Sequence, residues 1–184
     1  MKMVKIDERW TLWERNVVDE FKNIPTEEIK KILGERALPA AVLMSQLESD
    51  FNFSNVIRTS NFFNLKTIFY YGIKNFDRRG SVGTHLYSDV KYLPSFDEIK
   101  KLKEQYVFVG LENNIEKNTT DIFNFKWPSN SLIIIGEENK GLSNDIIDLC
   151  DFLVEIPNYG SVRSLNAATA AAIAIGLLSS QFRK

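Results

Sequence analysis

Residues 131–150 read SLIIIGEENKGLSNDIIDLC, and the opening run separates a sheet covered on both sides from one with a wet face. From Leu132 to Ile135 the chain is apolar without alternation, and it stops at Gly136. A strand with one wet face would alternate. An unbroken run suits a strand buried on both faces, as in a parallel sheet covered by helices. A polar turn follows, and Ser143 is placed to cap a helix over the next residues. A second run of this kind, YVFVGLEN at 106–113, also ends in polar residues.

Outward from these runs, strands and helices alternate. AAVLM (40–44), KTIFYYG (66–72) and FLVEI (152–156) read as further strands. PTEEIKKILG (25–34) reads as a helix capped by Thr26. Glu27 and Glu28 suit its positive end, Ile29, Ile32 and Leu33 face inward, and Gly34 ends it. FSNVIRTSNFFN (53–64) is predicted helical with Val56, Ile57, Ser60 and Phe63 inward. SFDEIKKL (95–102) follows with Ser95 as cap, and a last helix runs from about Leu165 to Ser179. The pattern predicts an α/β fold: a mostly parallel sheet flanked by helices, in one domain over 1–184, with 1–35 as an N-terminal helical extension. No repeat, low-complexity segment or linker interrupts it.

The composition, 44% hydrophobic and 26% charged over 184 residues, is that of a soluble globular chain. A net charge of −1 makes no bulk electrostatic case for nucleic acid, so any such binding needs local clusters or their pooling in a dimer. The clusters are Lys74, Arg78 and Arg79, then Lys100, Lys101 and Lys103. The second reads more simply as a solvated face. The single Cys150 excludes an internal disulfide, suits a reducing cytoplasm and reads as a buried structural thiol. The N-terminus lacks the apolar core of a signal peptide, and the 14 residues Leu165–Leu178 are too short to span a bilayer. A cytoplasmic protein without membrane association is expected.

Open parallel sheets bind ligands beyond the carboxyl ends of their strands. Three turns there carry small or polar residues: Leu111–Asn114, Gly136–Ser143 and Pro157–Asn166. GEENKGLS (136–143) fails as a phosphate-binding loop, because Leu142 stands where Lys is required and Glu137 and Glu138 repel phosphate. GSVRS (160–164) fails as a nucleophile elbow. With His85 as the only histidine, a Ser-His-Asp hydrolase would rest on it alone. No His, Cys and Asp cluster has metal-ligand spacing, so no metal is expected.

Three segments together resemble the TrmH/SpoU family of RNA 2′-O-methyltransferases, within the SPOUT superfamily. NFSNVIRTSNFFN (52–64) is similar to the family's N-x-x-x-x-x-R-T helix, IIIGEENKGLS (133–143) to its G-x-E-x-x-G-[LV]-S turn, and IPNYGSVRSLNAATAAAIAIG (156–176) to its third motif, built around S-L-N. Asn158 departs from the usual apolar residue, and Phe63–Asn64 stands where Phe–Gly is commoner. Residues 1–35 carry no recognisable motif. Because the chain ends just after the last helix, no separate RNA-binding domain or C-terminal extension is expected.

The resemblance implies a C-terminal trefoil knot around S-adenosylmethionine and a homodimer with shared active sites acting on RNA, either tRNA or rRNA. It implies cofactor contacts at Leu111, Glu112, Gly136, Glu138, Ile156, Ser164 and Leu165. Arg58 resembles the family's essential arginine. As a guanidinium it is a poor base, so a grip on phosphate and stabilisation of the developing alkoxide suit it better. Asn52, read locally as a helix cap, would orient Arg58. Glu138, Ser164 and Asn166 would complete the catalytic set. Arg78, Arg79, His85 and Arg163 would contact RNA. A silent RNA-binding factor of the same fold is disfavoured by the presence of all five catalytic candidates, and a base methyltransferase by the S-L-N form of the third motif.

Overall fold

The computed structural model describes residues 16–47, 49–72, 75–113 and 118–183. Lys74 and Asn114 lie outside the described residues, as does the first part of the 1–35 extension. Among the described residues one sheet holds β1 (Leu38–Ser45), β2 (Leu65–Tyr71), β3 (Val90–Leu93), β4 (Val107–Leu111), β5 (Thr120–Asp121), β6 (Ser131–Ile135) and β7 (Phe152–Glu155). Their order is β3-β2-β1-β6-β4-β7-β5, and every pairing is parallel. The helices are α1 (Thr26–Glu35), α2 (Asp50–Phe62), α3 (Phe96–Lys101), α4 (Asn144–Leu149) and α5 (Ala167–Phe182).

The unbroken apolar runs do bury both faces. On one side Val42, Met44, Ile133 and Ile135 pack with Phe53, Val56 and Ile57 of α2 and Ala171, Ile175 and Leu178 of α5. On the other, Ala41, Leu43, Leu132 and Ile134 pack with Ile99 beside Leu102, and with Ile146 and Ile147 of α4. Successive residues of one strand thus enter two separate cores, which is why alternation is missing from the sequence. Small residues on α5 let it approach α2 closely, and Ala171 and Ala174 are wholly buried. A third cluster joins Phe21, Ile29 and Tyr87, with Ile32 and Leu33 packed against it, so the inward face expected of α1 is present.

Several boundaries differ from the sequence reading. Pro25, not Thr26, is the N-cap of α1, and Thr26 begins the helix, which runs one residue beyond Gly34. Proline lacks the donor that a first-turn position would leave idle, so it is at home at a helix entry. Ser143 caps α4 as expected, accepting from Ile146 N. The strands β3 and β5 were not legible as strands, being four and two residues long at the two sheet edges. Asn64, at the position where glycine is commoner, has φ +50° and donates from Nδ2 to Leu33 O at 3.0 Å. Asparagine tolerates the left-handed conformation that ends α2, so this departure keeps the turn.

Register places the functional end. Leu111 pairs with Ile135 on one side and with Val154 on the other. The turns after β4, β6 and β7 therefore leave the sheet side by side.

Candidate functional site

The turn after β6 is closed by backbone bonds in both directions: Glu137 N donates to Gly141 O at 3.0 Å and Gly141 N to Glu137 O at 2.8 Å. The approach is so close that a Cβ on Gly136 would stand 2.2 Å from the Gly141 carbonyl carbon and 2.4 Å from Leu142 N. Gly141 itself has φ +69°, and a Cβ there would meet Glu112 Oε2 at 2.2 Å. Both glycines are steric requirements of one tight loop.

The turn after β4 braces its neighbours. Glu112 Oε2 accepts from Leu142 N at 2.7 Å and Oε1 from Asn113 N at 2.9 Å, so this carboxylate holds the 136–142 loop. Asn113 then imitates a strand: Nδ2 donates to Ile156 O at 2.8 Å and Oδ1 accepts from Ile156 N at 3.3 Å. Asn113 was not among the sequence candidates. An amide just past an apolar strand was the available signal.

Asn52, Glu138 and Asn166 come from three distant segments and meet in one chain of hydrogen bonds. Asn52, buried to 4% exposure, donates from Nδ2 to Glu138 Oε1 at 2.6 Å and accepts at Oδ1 from Asn166 Nδ2 at 2.9 Å. Glu138 Oε1 also accepts from Ser49 N at 3.3 Å. Asn166 Oδ1 caps α5 by accepting from Ala168 N at 3.0 Å and Thr169 N at 3.2 Å. Asn52 is thus no mere helix cap, since Ser49 occupies the N-cap position of α2. Its amide ties the entry of α2 to the β6 turn and to the start of α5.

Arg58 lies on the same helix, about 9 Å further along its axis. It is exposed and makes no hydrogen bond or ion pair among the described residues. Exposed Phe51 and Phe62 stand seven residues before and four after it, on one stripe. Ser54 and Asn61, at neighbouring positions, anchor the 77–88 loop: Ser54 Oγ donates to Asp77 O at 2.5 Å and Asn61 Nδ2 to Ser88 Oγ at 3.1 Å. The loop carrying Arg78, Arg79 and His85 therefore runs alongside Arg58.

Within that loop the basic residues differ. Arg79 is committed to Asp77, with Nε to Oδ2 at 2.7 Å and Nη2 to Oδ2 at 2.5 Å, and the pairing holds the Asp77 carboxyl below its ordinary range. Arg78 is exposed, with its guanidinium carbon 6.0 Å from the Phe76 ring centroid. His85 Nδ1 lies 2.7 Å from Ser81 Oγ. Burial, and then the Arg78 charge, press the His85 pKa below the ordinary imidazole value. Elsewhere, Lys100 and Lys101 pair with Asp97 and Glu98 and Lys103 with Asp151, as a solvated face would. Cys150 is half-buried, and Sγ donates to Ile146 O at 3.3 Å.

The 158–166 loop leads from β7 into α5 and ends at Asn166. Asn158 organises it, donating to Val162 O and accepting from Gly160 N at 2.8 Å, which gives a local reason for the polar residue there. Tyr159, Val162 and Leu165 are exposed large side chains, and Arg163 and Ser164 are exposed beside them. Among the described residues Ser164 and Leu165 form no hydrogen bonds, so their polar groups stand available to a ligand. No group of His, Cys, Asp and Glu among the described residues could hold a metal, and no helix among them is long and apolar enough to cross a membrane.

The model of the SpoU rRNA Methylase family matches residues 39–176. The 23S rRNA (uridine(2479)-2′-O)-methyltransferase of Streptomyces viridochromogenes is 46% identical over 65 residues, which are 35% of this chain and 22% of that protein. The tRNA (guanosine(18)-2′-O)-methyltransferase of Saccharomyces cerevisiae is 36% identical over 83 residues, 45% of this chain and 6% of that protein. Each match spans well under two thirds of the relative. Among solved structures, the SpoU methyltransferase AviRb of S. viridochromogenes in complex with the cofactor AdoMet superposes with a TM-score of 0.70 at 30% identity, over 77% of this chain and 57% of that one.

Proposed function

The chain belongs to the SpoU rRNA Methylase family, and from that premise we propose that it transfers a methyl group from S-adenosylmethionine to a ribose 2′-hydroxyl of structured RNA. The observation that carries the reading is the Glu138–Asn52–Asn166 chain, which joins all three motifs beyond the carboxyl ends of β1, β6 and β7. A structural cap would need one such bond. Two bonds converging on a buried amide suit a site that must be held rigid.

The residues present fit the cofactor. The tight turn at Gly136 lies beside the strand ends at Leu111 and Ile156, where small residues let backbone groups face a ligand, and among the described residues Ser164 and Leu165 keep uncommitted polar groups. Glu112 and Asn113 act one step behind, holding those turns by their bonds to Leu142 and Ile156. When bound, S-adenosylmethionine supplies a methyl carbon already activated by its sulfonium. What remains for the protein is to orient the ribose and to stabilise charge on its oxygen. Arg58, exposed and unpaired among the described residues, keeps its proton, grips a phosphate and stabilises the alkoxide. Asn52 and Asn166 tie the entry of α2, the helix that carries Arg58, to the entry of α5.

The same reading includes the trefoil knot around these turns, a cytoplasmic location and a homodimer with shared sites. Exposed Phe51, Phe62, Tyr159 and Val162 around the motifs favour a covering partner. Transfer RNA is the first substrate to try, as for the yeast relative; the local likeness to the streptomycete enzyme favours ribosomal RNA as the second. The test is methyl transfer from labelled S-adenosylmethionine to total RNA split into tRNA and rRNA, followed by nucleoside analysis. A 2′-O-methylated nucleoside in either fraction supports the reading. Label on a base, or none from protein shown by calorimetry to bind the cofactor, counts against it.

A further inference from the structure

His85 is the chain's only histidine, and the 77–88 loop is built to hold its ring. Ser81, fully buried, donates from Oγ to Arg78 O at 2.7 Å, so its 2.7 Å contact with the ring uses Nδ1–H as donor. That tautomer leaves Nε2 as an acceptor. Behind Ser81, side-chain hydroxyls bonded to backbone carbonyls fix the loop. Thr84 Oγ1 donates to Ser81 O at 2.7 Å, Ser88 Oγ to Thr84 O at 2.9 Å, and Asn61 of α2 to Ser88 at 3.1 Å.

The backbone is bent to the same end. Val82 has φ +49° and Gly83 φ +84°, and the left-handed region is unfavourable for a β-branched residue. Strain of that kind persists where the surroundings enforce it and gathers at functional sites. Here it turns the 84–86 segment so that the ring returns over Ser81. Gly80 is also required, since a Cβ there would lie 2.8 Å from Ser54 Cβ on α2. Ser54, Arg58 and Asn61 occupy positions i, i+4 and i+7 of one helix face, so the loop that holds His85 is pinned on both sides of Arg58.

A 2′-hydroxyl must lose a proton as it is methylated, and a guanidinium does not accept one. We propose that His85 is the proton acceptor of methyl transfer, its Nε2 receiving the 2′-hydroxyl proton while Arg58 holds the developing alkoxide. The inference rests on the methyl-transfer reading. The O–H bond breaks with its proton passing to Nε2, and the oxygen pair forms the bond to the methyl carbon. The carbon–sulfur pair stays on sulfur. The sulfonium becomes a neutral thioether and the imidazole an imidazolium, so charge balances. The charge felt at the ring is Arg78 of its own loop; earlier in the same loop Asp77 and Arg79 offset each other. Tyr87 packs the other way, against Phe21 and Ile29.

The experiment compares wild type, His85→Ala and His85→Gln at saturating RNA across the acid and neutral range. RNA affinity and melting temperature are measured beside the rate. In wild type the rate falls as pH drops through a pKa below the ordinary imidazole value. Both variants lose about 10²-fold or more in kcat and lose that acid limb, while RNA affinity moves less than about threefold. An acid limb that survives in both variants overturns the proposal, as does a glutamine variant at the wild-type rate, since glutamine replaces the hydrogen bonds but not the proton acceptor. Wild type that methylates no RNA overturns the parent reading, and this proposal with it.

Discussion

Replacing Asn52 by Asp tests the central network with a change of one atom type. The Asn52 amide gives Glu138 Oε1 a donor at 2.6 Å. An aspartate in the same rotamer would set a second carboxylate oxygen there. Two unit charges about 4 Å apart between group centres repel by about 4 kcal/mol at an effective dielectric of 20. The pair can escape by binding a proton. Against an ordinary Asp pKa of about 3.9, holding that proton costs about 1.4 kcal/mol per pH unit, or about 4 kcal/mol at pH 7. Both routes reach the same figure, so Asn52→Asp destabilises by about 3–4 kcal/mol at neutral pH.

The folded-state pKa of the new pair is raised above its unfolded value. Its deficit is therefore small below about pH 4, where the protonated group donates as the amide does, and it grows as pH rises. Urea denaturation of wild type and variant at several pH values measures the difference directly. A variant within about 0.5 kcal/mol of wild type at neutral pH, or a deficit flat with pH, would refute the network as the determinant of this junction.

Three further outcomes are expected. Arg58→Ala abolishes methyl transfer while calorimetry finds S-adenosylmethionine bound as in wild type, and Arg58→Lys does not restore the rate, because a point charge cannot reproduce the planar fork. Gly136→Ala, whose Cβ has only backbone to meet at 2.2–2.4 Å, destabilises by about 3 kcal/mol in urea and weakens cofactor binding more than tenfold. Ser60→Ala raises stability by up to about 1 kcal/mol, because the Ser60 hydroxyl is buried in α2 with no hydrogen-bond partner among the described residues and alanine is the better helix former.

The strands of the sheet interior, the helices between them and the positions of the three turns were legible in the chain. Those features are local. An unbroken run such as Leu132–Ile135 records two buried faces, and Ser143 records a helix start within three residues. The edge strands β3 and β5 escaped because they are short and take their order from a neighbouring strand rather than from a pattern of their own. The tertiary structure alone decided what the marked residues do together. Asn52 and Asn166 are 114 positions apart, and only folding shows that one amide bridges the other to Glu138. Glu112, expected to meet the cofactor, spends both oxygens on the backbone of the turns, and Asn113, read only as part of its turn, closes β4 onto Ile156. His85 was a lone ring in a polar loop until Ser81, a strained Val82 and two anchors on α2 gave its nitrogens separate roles. A residue's type is written in the chain, but the partner that sets its chemistry lies across a contact between distant segments, and no local spacing encodes it.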